Sequence, residues 1–173
     1  MGRIGFVFDR AKAIESILYL VQKVSDADRY GICKLLYLVD KTSLEKYGRF
    51  VFGDSYFAMK EGPVPSNAYN LLKEAAKEPV DGLKVEGNQV IAERGPDLDR
   101  LSESDIECLD QIIEIYGRVP NWVRRREVHD QAWRQTWKKR RSKKSVEIPI
   151  KSIAQMLSDS DELLDYLTNR DLE

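Results

Sequence analysis

Apolar residues return every three to four positions over most of the chain, which predicts a mainly helical protein. Ile14, Ile17, Leu18, Val21 and Val24 mark a first helix, and Asp9 is placed to cap it. Asp28 can cap a second helix that runs to Tyr47 and stops at Gly48. Its middle, from Ile32 to Val39, is apolar nearly all round, the pattern of a central helix covered on several sides. Pro65 or Ser66 opens another helix, carrying Ala68, Leu71, Leu72 and Ala75 and ended by Pro79. Ser102 and Asp105 form a capping box for a helix with Ile106, Leu109, Ile112, Ile113 and Tyr116 on one face. Gly117 stands where a C′ glycine is expected. Shorter helices are predicted at Asn121–Asp130 and Gln131–Lys138. One more follows Pro149, with Ile150, Ile153, Ala154 and Leu157 inward, and a last amphipathic stretch spans Asp161–Leu167.

Period-two and turn signals fill the gaps. Tyr56–Met59 has strand character, and Glu61-Gly62-Pro63-Val64-Pro65 reads as a rigid turn. Leu83–Val85 and Gln89–Ala92, joined across Glu86-Gly87-Asn88, predict a hairpin. With Tyr56–Met59 it would make one small antiparallel sheet. The expected fold class is therefore α+β, mainly α, a single helical domain around a buried central helix. We expect residues 1–158 to form that domain and 159–173 to be its acidic helical tail.

A chain of 173 residues can bury a core without disulfides or a structural metal. No apolar run, Leu35–Val39 included, approaches a bilayer span, and Met1–Phe6 contains no signal-peptide core. The two cysteines, Cys33 and Cys108, sit in apolar helical patterns and read as small buried hydrophobes in a reducing compartment. Membrane, secreted and zinc-finger classes are set aside, and a cytoplasmic protein is expected. Phosphate-binding, dinucleotide-binding, nucleophile-elbow and zinc-protease motifs are all missing, so no cofactor is expected. A single histidine, His129, excludes a histidine-built metal site within one chain. The expectation is a protein that is not an enzyme.

The net charge of −1 hides a dipole. From Arg118 to Lys144 eleven Lys/Arg face two acids, a net of +9, which leaves 17 basic and 27 acidic residues, a net of −10, elsewhere. The basic block is tightest from Lys138 to Lys144, and Trp133 and Trp137 precede it at i, i+4. Basic residues beside aromatics can bind nucleic acid through phosphate contacts and stacking. They can equally meet an acidic protein surface, where Trp and Arg are favoured anchors. The plainest alternative places Trp133 in the core and the charges in a solvated loop. An acidic remainder disfavours a dedicated nucleic-acid binder.

Asp40 shares a helix face with Cys33, Leu36, Tyr37, Leu44 and Tyr47. A carboxylate there needs partners, because an unpaired one costs several kcal/mol. The favoured reading has it accept hydrogen bonds from the turn after Gly53 or Gly62; the other makes it a general base with a raised pKa. His129 faces the same choice beside Trp133, as a satisfied core residue or a catalytic group.

The stretch Lys34-Leu35-Leu36-Tyr37-Leu38-Val39-Asp40, then Tyr47-Gly48, then Gly53 to Ser66, resembles the Panacea domain of SocA-like antitoxins. The Leu101–Asp105 helix start and His129 followed by Ala132-Trp133 are similar to the same family. The resemblance spans roughly Ile14 to Leu157 and implies a mostly helical antitoxin of a bacterial or phage-borne two-gene system. The implied partner is a cognate protein toxin, neutralised by direct contact. Lys34, Tyr37, Asp40, Gly62, Pro63, His129 and Trp133 match signature positions, with roles that look structural. The expected contact surface is Trp133, Arg134, Trp137, Lys138, Arg140 and Arg141. The alternative function is a nucleic-acid-binding regulator acting through the stripe 118–144. Oligomeric state is left open by the sequence.

Overall fold

A computed structural model describes residues 4–170. The chain runs α1 (Arg10–Val21), α2 (Arg29–Tyr47), β1 (Tyr56–Met59), β2 (Gly62–Pro65), α3 (Ser66–Lys77), β3 (Leu83–Glu86) and β4 (Gln89–Ala92). It continues through a 3₁₀ turn at Leu98–Arg100, α4 (Glu103–Tyr116), α5 (Asn121–Val128), α6 (Gln131–Lys138), β5 (Val146–Glu147), α7 (Ile150–Gln155) and α8 (Ser160–Asn169). The protein is α+β and mainly α, a single domain with two small antiparallel sheets.

Helix α2 is the axis of the fold. Every residue from Gly31 to Asp40 is buried, and the helix packs against α4, α5, β2, α3 and α1. Asp28 caps its start through the Gly31 N–H at 2.6 Å, and Gly48 ends it in the left-handed conformation at φ 70°, which a glycine adopts without strain. Asp9 caps α1. The Ser102–Asp105 capping box of α4 forms in full, and the buried Asp105 carboxylate also pairs with Lys12 at 2.6 Å and Arg49 at 2.9 Å. That one residue ties the starts of α1 and α4 to the end of α2.

The strands pair differently from the expectation. The β3–β4 hairpin stands alone as a two-stranded sheet, whereas β1 pairs with β2 on one side and β5 on the other. The segment read as a rigid turn is therefore itself a strand, aligned Tyr56 to Pro65 and Met59 to Gly62. The short Lys60-Glu61 link makes this the nearest partner for β1, and Gly62 at φ 133° lets the chain reverse there. Pro63 and Pro65 lack N–H donors, which confines β2 to the edge of its sheet.

The end of α4 also differs. Gly117 is right-handed at φ −65°, so no left-handed cap forms. The terminal carbonyls of Tyr116 and Gly117 each accept from Arg124 at 3.0 Å, and that of Gly117 also accepts the Ser25 N–H at 2.8 Å. Glu15, buried on α1, was not singled out by sequence; it holds Arg94 in a fork at 2.7 and 2.9 Å and accepts the Asp97 N–H.

Candidate functional site

Lys34, Tyr37 and Asp40 lie three residues apart on one side of α2 and organise three different neighbours. Asp40 is fully buried; its carboxylate accepts the Val51 N–H at 2.8 Å and the Tyr56 hydroxyl at 2.6 Å. It thus pins the Phe50–Phe52 segment and β1, rather than the turn after Gly53 or Gly62. Burial pushes its pKa up to about 7, while its two hydrogen bonds act in the opposite sense. Tyr37 packs edge-on to Tyr56, with ring centres 5.1 Å apart, and donates to Asp130 at 2.6 Å. Asp130 also receives Lys41 at 3.0 Å and caps α6 through the Trp133 N–H.

The junction of α5 and α6 builds a column of rings. His129 stacks on Trp133 at 4.0 Å with the planes 5° apart, and Trp133 stacks on Trp137 at 5.8 Å. The Arg140 guanidinium lies over the Trp137 ring, 4.0 Å from its centre. Trp133 is buried and donates its indole N–H to the Met59 carbonyl at 2.8 Å, which locks the column to the end of β1. Of the expected contact residues, Trp133 is therefore a support beneath the surface. Trp137 and Arg140 are half-buried, while Arg134, Lys138 and Arg141 are exposed.

His129 sits beside the β1–β2 turn. A Cβ on Gly62 would lie 3.0 Å from Val128 and 3.6 Å from the imidazole, so the turn is packed closely enough on α5 that a side chain there would push on Val128. The buried His129 Nε2 has no hydrogen-bond partner among the described residues, and burial lowers the imidazole pKa, which favours the neutral ring. Asp40 and His129 serve separate neighbourhoods, Tyr56 and Val51 for the one and Trp133 and Gly62 for the other.

The basic stripe is not one continuous face. Arg124 is wholly buried, Arg125 pairs with Glu61 at 2.6 Å, and Arg126 lies over the Trp122 ring. Lys138 to Lys144 is different: its cations form no ion pair among the described residues, and all but Arg140, which lies on Trp137, are exposed at the end of α6 and in the loop before β5. Sequence reasoning passed over Trp122, 65% exposed on α5, and the interior place of Arg124. A signal for Arg124 existed, since it stands one helical turn before the buried Val128.

The chemistry available is limited. Burial pushes the Cys33 thiol up to about 12 and raises that of Cys108 too, so neither is poised as a nucleophile. Among the described residues no group of three or more His, Cys, Asp or Glu could hold a metal ion. No helix among them is long and apolar enough to cross a membrane.

A rigid helical scaffold with an aromatic and basic face is the class this geometry defines. The model of the family described as "Antitoxin SocA-like, Panacea domain" matches residues 32–134, and the chain belongs to that family. The match begins inside α2 and ends at Arg134, before Trp137 and the Lys138–Lys144 run. A search of the curated proteins and one of the solved structures each returned no match.

Proposed function

We propose that this protein neutralises a protein toxin encoded beside it, by binding the toxin directly and without catalysis of its own. The observation that carries the reading is the family match across residues 32–134, which takes in most of α2, both strands of the β1–β2 turn and the His129–Trp133 stack. Physical support comes from the face beside that stack. Trp137 and Arg140 are held in place by stacking, so little side-chain entropy is lost when a partner covers them. Aromatic and arginine anchors dominate interface energetics.

The test is co-expression with the product of the neighbouring reading frame. Wild type is expected to co-purify with it and to restore growth. Trp137→Ala and the paired change Arg140→Glu with Arg141→Glu are expected to weaken the complex by ~2 kcal/mol or more each, about thirtyfold in affinity. Growth rescue with no detectable complex would sink the direct-contact mechanism. Binding by both variants at wild-type strength would move the interface off α6.

A second reading rests on the unpaired cations from Lys138 to Lys144, which suit a phosphate backbone. With −10 on the rest of the chain, only weak duplex binding is expected, falling steeply as salt rises. Filter binding over a salt series measures this. A tight complex at physiological salt, lost when these cations are neutralised, would reverse the ranking of the two readings.

A further inference from the structure

The β1–β2 turn faces the first turns of α2, and a cavity of about 150 Å³ lies between them. Its walls are largely apolar, formed by Tyr30, Cys33, Met59, Pro63, Val64 and Tyr69. Lys34 stands among them and is only 8% exposed. Its ammonium makes one long hydrogen bond, 3.5 Å to the Tyr30 carbonyl, stands 6.0 Å from the centre of the Tyr30 ring at the outer limit of a cation–π contact, and forms no ion pair among the described residues. The two carboxylates whose charges reach it are engaged elsewhere. Asp28 caps α2 and accepts from Asn121, and Glu61 is paired with Arg125. A buried ammonium with one long hydrogen bond and a distant ring for partners is costly to keep, and a carboxylate arriving from outside would relieve that cost. Burial already lowers the pKa of Lys34, in keeping with a charge short of partners.

Size decides what kind of carboxylate fits. Small-molecule sites usually enclose about 300–1,000 Å³, so this cavity is too small for a nucleotide or a cofactor. It suits one side chain of a protein. The rim is suited to a protein partner as well: Tyr30 is 44% exposed, and of the charged residues Lys60 and Glu61 that also line the cavity, Glu61 is neutralised by Arg125, which leaves Lys60 as net positive charge at the mouth. Met59 lines the cavity and also accepts the Trp133 indole N–H, so the cavity adjoins the His129–Trp133–Trp137 column. A toxin seated on that column would reach both.

We propose that the cavity receives a glutamate side chain of the toxin, its methylenes against Tyr30, Met59 and Pro63 and its carboxylate on the Lys34 ammonium. The proposal rests on the neutralisation reading above and gives Lys34 a binding role in place of a structural one. Glutamate is favoured over aspartate because its longer apolar stem uses the walls before the charge reaches the lysine.

The experiment has two arms. In the first, Lys34→Met is co-expressed with the neighbouring gene's product. This variant keeps the stem and drops the charge, so it is expected to melt at or above the wild-type temperature and to bind about thirtyfold or more weakly. If Lys34→Met binds as tightly as wild type, the cavity proposal falls and direct contact stands. If wild type binds nothing, the neutralisation reading falls, and the second arm alone judges the cavity. That arm titrates wild type with the peptide acetyl-Leu-Glu-Phe-amide and its Gln counterpart, followed by NMR. The Glu peptide is expected to shift the signals of Tyr30, Lys34 and Val64, and the Gln peptide to leave them in place. Equal responses to the two peptides, or none to either, would overturn the proposal even if Lys34→Met failed to fold.

Discussion

Replacing Asp40 by alanine is expected to lower the unfolding free energy by about 4 kcal/mol, read by urea denaturation at pH 5. Two buried donors, the Val51 N–H and the Tyr56 hydroxyl, would lose their acceptor. Each unsatisfied group costs about 1–3 kcal/mol, and the space left by the carboxyl adds to that. The effect reaches far because the Phe50–Phe52 segment and β1 depend on the same side chain. Phe50 and Tyr56 meet edge-on at 5.6 Å, and Tyr56 in turn abuts Tyr37. Aspartate to asparagine is milder. The amide must present its NH₂ to one of two groups that already donate, at a cost of about 2 kcal/mol.

The asparagine variant also isolates the pH dependence. With a native pKa raised to about 7, Asp40 keeps its proton where the unfolded chain has released it. Its contribution is thus complete below the unfolded value near pH 4 and is lost as pH rises through 7, at about 1.4 kcal/mol per unit. The amide of D40N has no proton to lose, so wild type is expected to exceed D40N most at low pH, with the gap closing toward neutrality. Parallel stability curves between about pH 4 and pH 8 would mean that Asp40 is ionised throughout. If D40N kept full stability yet abolished growth rescue, a catalytic role for this carboxyl would have to be reopened.

The helices were legible in the sequence because their signals are local. Asp9, Asp28, Ser102 with Asp105, and Pro149 each mark a boundary within a residue or two of where the helix begins. Sheet pairing was not legible, because a four-residue strand carries no information about its neighbour. Nothing in Tyr56–Met59 itself selects β2 and Val146–Glu147 over the Leu83–Ala92 hairpin. The polar interior divides the same way. Asp40 announces itself as a carboxylate on an apolar stripe, whereas Arg124 hides in the run Arg124-Arg125-Arg126-Glu127 and Glu15, though flanked by Ile14 and Ile17, reveals its burial only once Arg94 is seen to cover it. Lys34 was legible as a signature position, but its lack of a charge partner emerges only when Asp28 and Glu61 are seen to be occupied by other groups.

Position and exposure together change the account of the basic stripe. Residues grouped by charge in the sequence separate in space into a structural cation, a rim cation and a solvated loop. Arg124 belongs to the interior, Arg125 to the edge of the cavity through Glu61, and Lys138–Lys144 to solvent except for Arg140, which lies on Trp137. Only the last group is available to act through charge alone. The first sets where α5 lies, and so where Arg125 and Trp122 present themselves.

That dependence leads to the second large effect, which is expected at Arg124. It is the largest fully buried side chain among the described residues. Each of its five N–H donors is used once: on the carbonyls of Ser25 at 2.8 Å, Asp26 at 3.1 Å, Tyr116 and Gly117 at 3.0 Å, and on Asn121 Oδ1 at 3.0 Å. Among the described residues no carboxylate touches it; the charge is held by carbonyl dipoles, two of them at the negative end of α4. Removing a buried ion pair in favour of apolar residues is often neutral, because both partners can be replaced together. Here four of the five acceptors are main chain and stay behind. Arg124→Met is therefore expected to cost about 5 kcal/mol, and Arg124→Lys about 2–3, since an ammonium reaches at most three of the acceptors from one point. Urea unfolding should rank wild type above Arg124→Lys and that above Arg124→Met, with faster amide exchange in the α1–α2 link and in α5. An Arg124→Met protein as stable as wild type would show that desolvating the guanidinium costs as much as its five bonds return. The position of α5, and with it the Arg125–Glu61 rim of the cavity, would then have to be held by the packing of Val128 against the core.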